Sequence, residues 1–138
     1  MVLPAGASVS GSRGPRMVER ADGSPHSSVV NAGVLDDPRS ARLVVGYVTY
    51  GAVKLRHLAA RPATSLLWRA GWRWAAVDGT SELLGPGDTD EEELRLLLRA
   101  IFSAAGGAHD DWDTYDRVMR EQGRVAVLVG PARVYGSG

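Results

Sequence analysis

Apolar residues fall in short blocks along most of the chain, and the blocks have the lengths of strands. In residues 42–49, Leu43, Val44, Val45, Tyr47 and Val48 put apolar side chains on both faces. That pattern predicts a central strand covered on both sides. Residues 124–129 read the same way through Val125, Ala126, Val127, Leu128 and Val129, with residues 131–138 left as a short tail. Earlier in the chain, residues 16–20 predict a short first strand and Asp22-Gly23 a hairpin turn. Residues 25–34 predict a strand that mixes small polar and β-branched side chains, and Leu35 to Ser40, with Pro38, a second turn. Residues 63–69 and 72–84 predict two more strands. In the second, Trp72, Trp74 and Ala76 alternate with Arg73, Ala75 and Val77, and Gly79 marks a bulge.

Helical spacing interrupts this pattern in three places. Over residues 49–62, Ala52, Leu55, Leu58 and Ala59 share one side of a short helix, and Lys54, His57 and Arg61 share the other. Gly51 frees the turn before it and Pro62 stops it. Leu94, Leu97, Leu98, Ile101 and Phe102 predict a second helix. Thr89 is its expected N-cap, Glu92 completes a capping box, and Ala104-Ala105-Gly106-Gly107 ends it. A third helix is expected over residues 111–122, capped by Asp110 or Asp111 and stopped by Gly123. Trp112, Tyr115 and Met119 share its apolar face. Strands in hairpin-like succession with helices at the breaks predict a mostly antiparallel β fold, a small barrel with helices packed outside. Residues 1–14, rich in Gly and Ser, read as a loose arm, and residues 15–138 as one domain.

Charge narrows the functional classes. The chain has 138 residues with 16 basic and 16 acidic side chains, so no overall field draws it to nucleic acid or to an anionic membrane. Any anion site must be local. The basic side of the helix over residues 49–62 admits two readings: a solvated surface, or an anion site where the helix dipole adds to the side-chain charge. There is no cysteine, no run long enough to span a bilayer and no signal-like start, and a cytoplasmic protein is the expectation.

Several catalytic patterns are missing. The histidines His26, His57 and His109 lie far apart, and no zinc-hydrolase spacing, nucleophile elbow or nucleotide glycine fingerprint occurs. His109-Asp110-Asp111 has the residue types of a metal or acid–base cluster but reads as a helix start with solvated caps. Gly11-Ser12-Arg13-Gly14 is a lone glycine turn that could take an anion.

Four stretches taken together carry a family resemblance. They are Asp22-Gly23-Ser24-Pro25-His26-Ser27-Ser28; Ala52-Val53-Lys54-Leu55-Arg56-His57-Leu58 with Pro62; Gly71-Trp72-Arg73-Trp74-Ala75-Ala76-Val77-Asp78-Gly79; and Ala105-Gly106-Gly107-Ala108-His109-Asp110-Asp111-Trp112-Asp113-Thr114-Tyr115, followed by Arg133-Val134-Tyr135-Gly136. In this order and spacing they resemble the pyridoxamine 5′-phosphate oxidase-like flavoprotein superfamily, and within it the actinobacterial branch that uses the deazaflavin F420. The resemblance implies a split β-barrel that forms a homodimer, with cofactor sites at the subunit interface. It implies an oxidoreductase that moves hydride between reduced F420 and an organic acceptor, with no catalytic side chain assigned and no metal. Alternatives on the same fold are an FMN-binding oxidase or reductase and a non-catalytic carrier of F420 or flavin.

Carried over by position, Lys54 meets the cofactor phosphate, assisted by Arg56 and His57. Ala52 stands where the family often has a basic residue, and His57 where it usually has asparagine. Ser28 and Asn31 lie on the strand expected to line the ring system. Thr49 and Tyr50 lie where the backbone meets the cofactor tail, and Trp72 is expected to reach the cofactor from the partner subunit.

Overall fold

The architecture is that of a computed structural model, which describes residues 13–19, 25–60, 62–70 and 72–137. Residues 13–19, 25–29, 52–54, 57, 69 and 70 are described by their backbone alone. The described residues form β1 (Arg13–Glu19), β2 (Pro25–Asp36), β3 (Leu43–Thr49), α1 (Ala52–Ala60), β4 (Ala63–Ala70), β5 (Arg73–Leu84), α2 (Glu91–Ala104), α3 (Trp112–Glu121) and β6 (Val125–Gly136). Neighbouring strands run antiparallel in the order β1-β2-β3-β6-β5-β4. Strand β1 also pairs with β4, through Arg16↔Leu66, Met17↔Ser65 and Val18↔Thr64. The expected mostly β, antiparallel architecture with flanking helices is present.

The two continuously apolar segments are the two central strands. Alternation sends Val45, Tyr47, Val127 and Val129 to one face, where they pack with Leu66, Trp68 and Val77. Val44, Ala126 and Leu128 go to the other face, under Leu94, Leu97, Leu98, Ile101 and Tyr115 of α2 and α3. Both faces of β3 and of the first half of β6 are thus covered, as their sequences require. Helix α1 is held to the first cluster by Leu58, which is buried. Leu55 is half-buried and Ala59 is exposed, so the buried side of α1 is narrower than its spacing suggests.

One close approach places the loop after α2. A Cβ at Gly33 would lie 2.4 Å from the Ala104 carbonyl carbon and 2.5 Å from the Ala105 nitrogen. The last turn of α2 therefore rests on the bare backbone of β2, and Ala105-Gly106-Gly107 emerges beside that strand.

Four sequence expectations are corrected. Strand β1 begins at Arg13, and Arg13 and Gly14 pair with Asn31 and Val30, so this end of the Gly11–Gly14 stretch is strand and not a turn. Strand β2 runs on to Asp36, leaving a tighter turn in which the Asp37 carboxylate accepts from the Arg39 backbone N–H at 2.9 Å. The Arg39 guanidinium also pairs with Asp37 and with Glu82 of β5. The N-cap of α2 is Asp90, whose carboxylate accepts from Glu93 N–H at 3.1 Å, while the Thr89 hydroxyl donates to Asp88. Thr89 is held in a bridge with Pro86, which pushes the helix start one residue on. Finally, β6 does not stop at Val129 but continues along β5 to Gly136. Pro131 stands opposite Gly79, at the register shift between Asp78 and Gly79, where a missing N–H costs the ladder little. The bulge expected at Gly79 is there, and a Cβ on it would lie 2.2 Å from the Gly130 carbonyl oxygen. The predicted Asp22-Gly23 turn, and residues 1–12 of the expected arm, lie outside the described residues. Among the described residues no helix is long and apolar enough to cross a membrane.

Candidate functional site

A groove of about 760 Å³ opens where β2, the end of β3 and the start of β6 meet the helical layer. Val30 and Asn31 come from β2, and Val48, Thr49 and Tyr50 from the end of β3. Ala105, Gly106 and Gly107 follow α2, and Tyr115 and Met119 come from α3. Arg124 closes the ring from the residue before β6. The volume lies within the range of about 300–1,000 Å³ usual for small-molecule and cofactor sites.

The helical wall is built on a cluster of aromatic rings. The Phe102 ring lies 5.1 Å from Tyr115 and 6.0 Å from Trp112, with Trp112 and Tyr115 5.3 Å apart at 85°. His109 joins this cluster at 5.7 Å from Tyr115. A Cβ on Gly107 would stand 2.6 Å from the Phe102 ring, so the loop can pass this cluster only as glycine. The Tyr115 hydroxyl donates to the Leu98 carbonyl at 3.0 Å, and burial pushes its pKa up to about 12. It is a neutral donor at any ordinary pH.

The polar end of the groove is cationic. The Arg124 guanidinium carbon sits 3.8 Å from the centre of the Tyr50 ring, and its Nε donates to the Gln122 side-chain carbonyl at 2.8 Å. Among the described residues no carboxylate pairs with Arg124, and none lines the groove. Helix α1 starts directly after Tyr50 and Gly51, with Leu55 N–H bonding Gly51 O at 3.1 Å and no acidic residue in its first turn. Its positive end is not neutralised locally. A ligand with an apolar part and an anionic part fits this lining. Val30, Val48, Phe102 and Met119 offer apolar contact, and Arg124 suits the charge.

The residues singled out from sequence fall in four places. Asn31, Thr49 and Tyr50 line the groove, Thr49 buried at 4% exposure and Tyr50 open at 56%. Lys54, Arg56 and His57 lie on α1, which follows the groove, and Arg56 is exposed. The side chains of Lys54, His57 and Ser28 lie outside the described residues; Ser28 itself is in β2, opposite Arg16. Trp72 is 94% exposed at the turn between β4 and β5, away from the elements that line the groove. Arg124 was missed in the sequence. The available signal was a charged residue between the helix-stopping Gly123 and a fully buried strand, a position where a cation must lie at the strand's edge.

The His109-Asp110-Asp111 group is structural. Asp111 caps α3 by accepting from Thr114 N–H at 3.1 Å, and its own N–H donates to His109 Nδ1 at 3.0 Å. No group of metal-ligating side chains occurs among the described residues.

No protein-family model matches the chain. Solved structures do. It is similar to a structure named F420 reductase, at 17% identity and a TM-score of 0.64, covering 96% of this chain and 98% of that one. It is also similar to a conserved hypothetical protein of Mycobacterium tuberculosis, at 19% identity and a TM-score of 0.65, covering 90% of this chain and 75% of that one. A pyridoxamine 5′-phosphate oxidase-related, FMN-binding protein of Nostoc punctiforme matches at 14% identity and a TM-score of 0.60, over 91% and 74% of the two chains. The chain has the fold of the pyridoxamine 5′-phosphate oxidase-like proteins, the superfamily that its four sequence stretches resemble.

Proposed function

We propose that the groove holds a flavin-type cofactor, coenzyme F420, and that the protein is an oxidoreductase exchanging hydride between reduced F420 and an organic acceptor. The observation that carries this reading is the groove itself. It has a partly apolar lining without carboxylates that ends at Tyr50 and Arg124, with α1 beginning two residues after Tyr50. The similarity to an F420 reductase and to an FMN-binding protein supports a cofactor of this class. When bound, the deazaflavin supplies the hydride-transferring ring carbon. The chain's own residues bind, orient and exclude water. Lys54 and Arg124, with Arg56 and His57, hold the anionic tail; Thr49 and Tyr50 meet it at the end of β3. Ser28 and Asn31 line the ring. No side chain is assigned a proton transfer.

In this reading the sheet is a split β-barrel, two copies form a homodimer, and each groove is completed by its partner, with Trp72 of one copy reaching the cofactor of the other. The exposure of Trp72 supports that role, because a side chain open to solvent in one copy is free to meet another. The site of action is the cytoplasm.

FMN in the same groove, in an oxidase or reductase, is the second reading, supported by the FMN-binding neighbour. Turnover separates enzyme from carrier. Purified protein is mixed with reduced F420 and a panel of quinones, enones and tetrapyrroles, and the absorbance of oxidised F420 is followed. Oxidation that depends on one of the acceptors supports the enzyme. Binding of F420 with no oxidation across the panel supports the carrier.

A further inference from the structure

A second cavity, of about 270 Å³, lies between α2, α3 and the loop after β5. Its floor is apolar and deeply buried: Leu94, Leu98 and the Tyr115 ring are all below 8% exposure. Its charged rim is different in kind. Asp116 is already taken by Arg95, at 3.1 Å, and by Arg99, whose hydrogen bonds hold its carboxyl well below the usual carboxylate range. Arg120 and Arg124 reach the same cavity and have no carboxylate partner among the described residues. Glu91, exposed in the first turn of α2, is the remaining acid on the rim. Above an apolar floor, Arg120 and the terminal N–H groups that Arg124 keeps beyond its Nε–Gln122 bond and its stack on Tyr50 make a complementary surface for one kind of molecule.

We propose that this cavity binds a small aromatic carboxylate, with its ring on Leu94 and Leu98 and its carboxylate on Arg120 and Arg124. The size argues for a single ring, because the volume is below that of a drug-sized pocket. The planar fork of arginine matches a carboxylate, and the apolar floor rejects a bare inorganic anion. The site is separate from the groove but shares a wall with it, since Tyr115, Met119 and Arg124 line both. A ligand seated here would therefore engage the same guanidinium that stacks on Tyr50.

The test uses cofactor-free protein, so its outcome is independent of what the groove holds. Benzoate and its neutral analogue benzamide are titrated against methyl-labelled protein by NMR. Benzoate is expected to shift the Leu94 and Leu98 methyls, which face this cavity alone, more than the Ile101 methyl, which faces the groove. Benzamide is expected to bind about tenfold or more weaker, and Arg120→Gln, at an exposed helix end, to weaken benzoate by a similar factor. Asn31→Ala, in the groove, is expected to leave benzoate affinity unchanged. Three results would overturn the proposal. These are no methyl shifts at millimolar benzoate, equal binding of benzoate and benzamide, or shifts confined to Ile101 that Asn31→Ala abolishes.

Discussion

The Arg124 guanidinium stacks on the Tyr50 ring at 3.8 Å, and the two residues are neighbours by register. Thr49 and Val125 are the last pair between β3 and β6, so Tyr50 and Arg124 are the next positions where the strands part. The pair joins the start of α1 to the end of α3 across the mouth of the groove.

Arg124→Gln removes the charge at this mouth. Loss of a charge-assisted contact costs roughly 1.5–3 kcal/mol, which is a drop of about tenfold to a hundredfold in affinity for an anionic cofactor. Folding stability should fall by only about 0.5–1 kcal/mol, the worth of an exposed cation–π contact. Cofactor titration and thermal melting of the variant check the two halves separately. Unchanged affinity would remove Arg124 from the site.

Lys54→Ala tests the residue carried over from the family pattern. If Lys54 meets the cofactor phosphate, the substitution weakens binding by about 1.5–3 kcal/mol and leaves the melting temperature nearly unchanged. Double substitution with Arg124→Gln separates shared from independent contacts: additive losses mean the two cations act on different parts of the ligand.

Gly33→Ala should strike stability and binding together. Its Cβ would have to displace the Ala104–Ala105 backbone, at 2.4 and 2.5 Å. Overpacking of this kind costs typically about 1–3 kcal/mol, read as a lowered denaturation midpoint. Because Ala105, Gly106 and Gly107 line the groove, cofactor affinity should fall as well. A variant with native stability and affinity would show that the contact between α2 and β2 relaxes freely.

Much of the fold was legible because burial writes itself into sequence. β3 and the first half of β6 are apolar on both faces since each is sandwiched between the Tyr47 and Val127 cluster and the helices. The end of β6 was not legible. Pro131 reads as a stop in isolation and is tolerated only because it falls at the bulge opposite Gly79, a fact about two strands at once. The α2 cap was misplaced by one residue for a similar reason: Thr89 and Asp90 are equally good caps locally, and the Pro86–Thr89 bridge decides between them. For the site, sequence singled out Asn31, Thr49 and Tyr50 but not Arg124, which becomes their neighbour only through the β3–β6 register. Local pattern carries no record of such a pairing.

The α2–α3 clamp sets an acid limit. Arg99 and then Arg95 depress the Asp116 carboxyl through hydrogen bonds in the folded state. A carboxyl with a lowered folded pKa stabilises above its unfolded pKa, near 3.9, and the contribution is lost as pH falls through the lower folded value. Asp116→Asn should therefore lower the melting temperature at neutral pH, and wild type and variant should converge as pH drops below about 4. Curves that stay parallel down to the acid transition would show that the clamp does not contribute.

The central claim is that the groove binds a flavin-type cofactor, F420 first. Its most direct test is equilibrium titration of purified, ligand-free protein with F420 and with FMN in parallel, read by quenching of each cofactor's fluorescence. Saturable binding of F420, tighter than FMN and weakened by Arg124→Gln, is the predicted result. Tight FMN binding without F420 binding would overturn the F420 assignment, and saturation by neither would contradict the account of the groove.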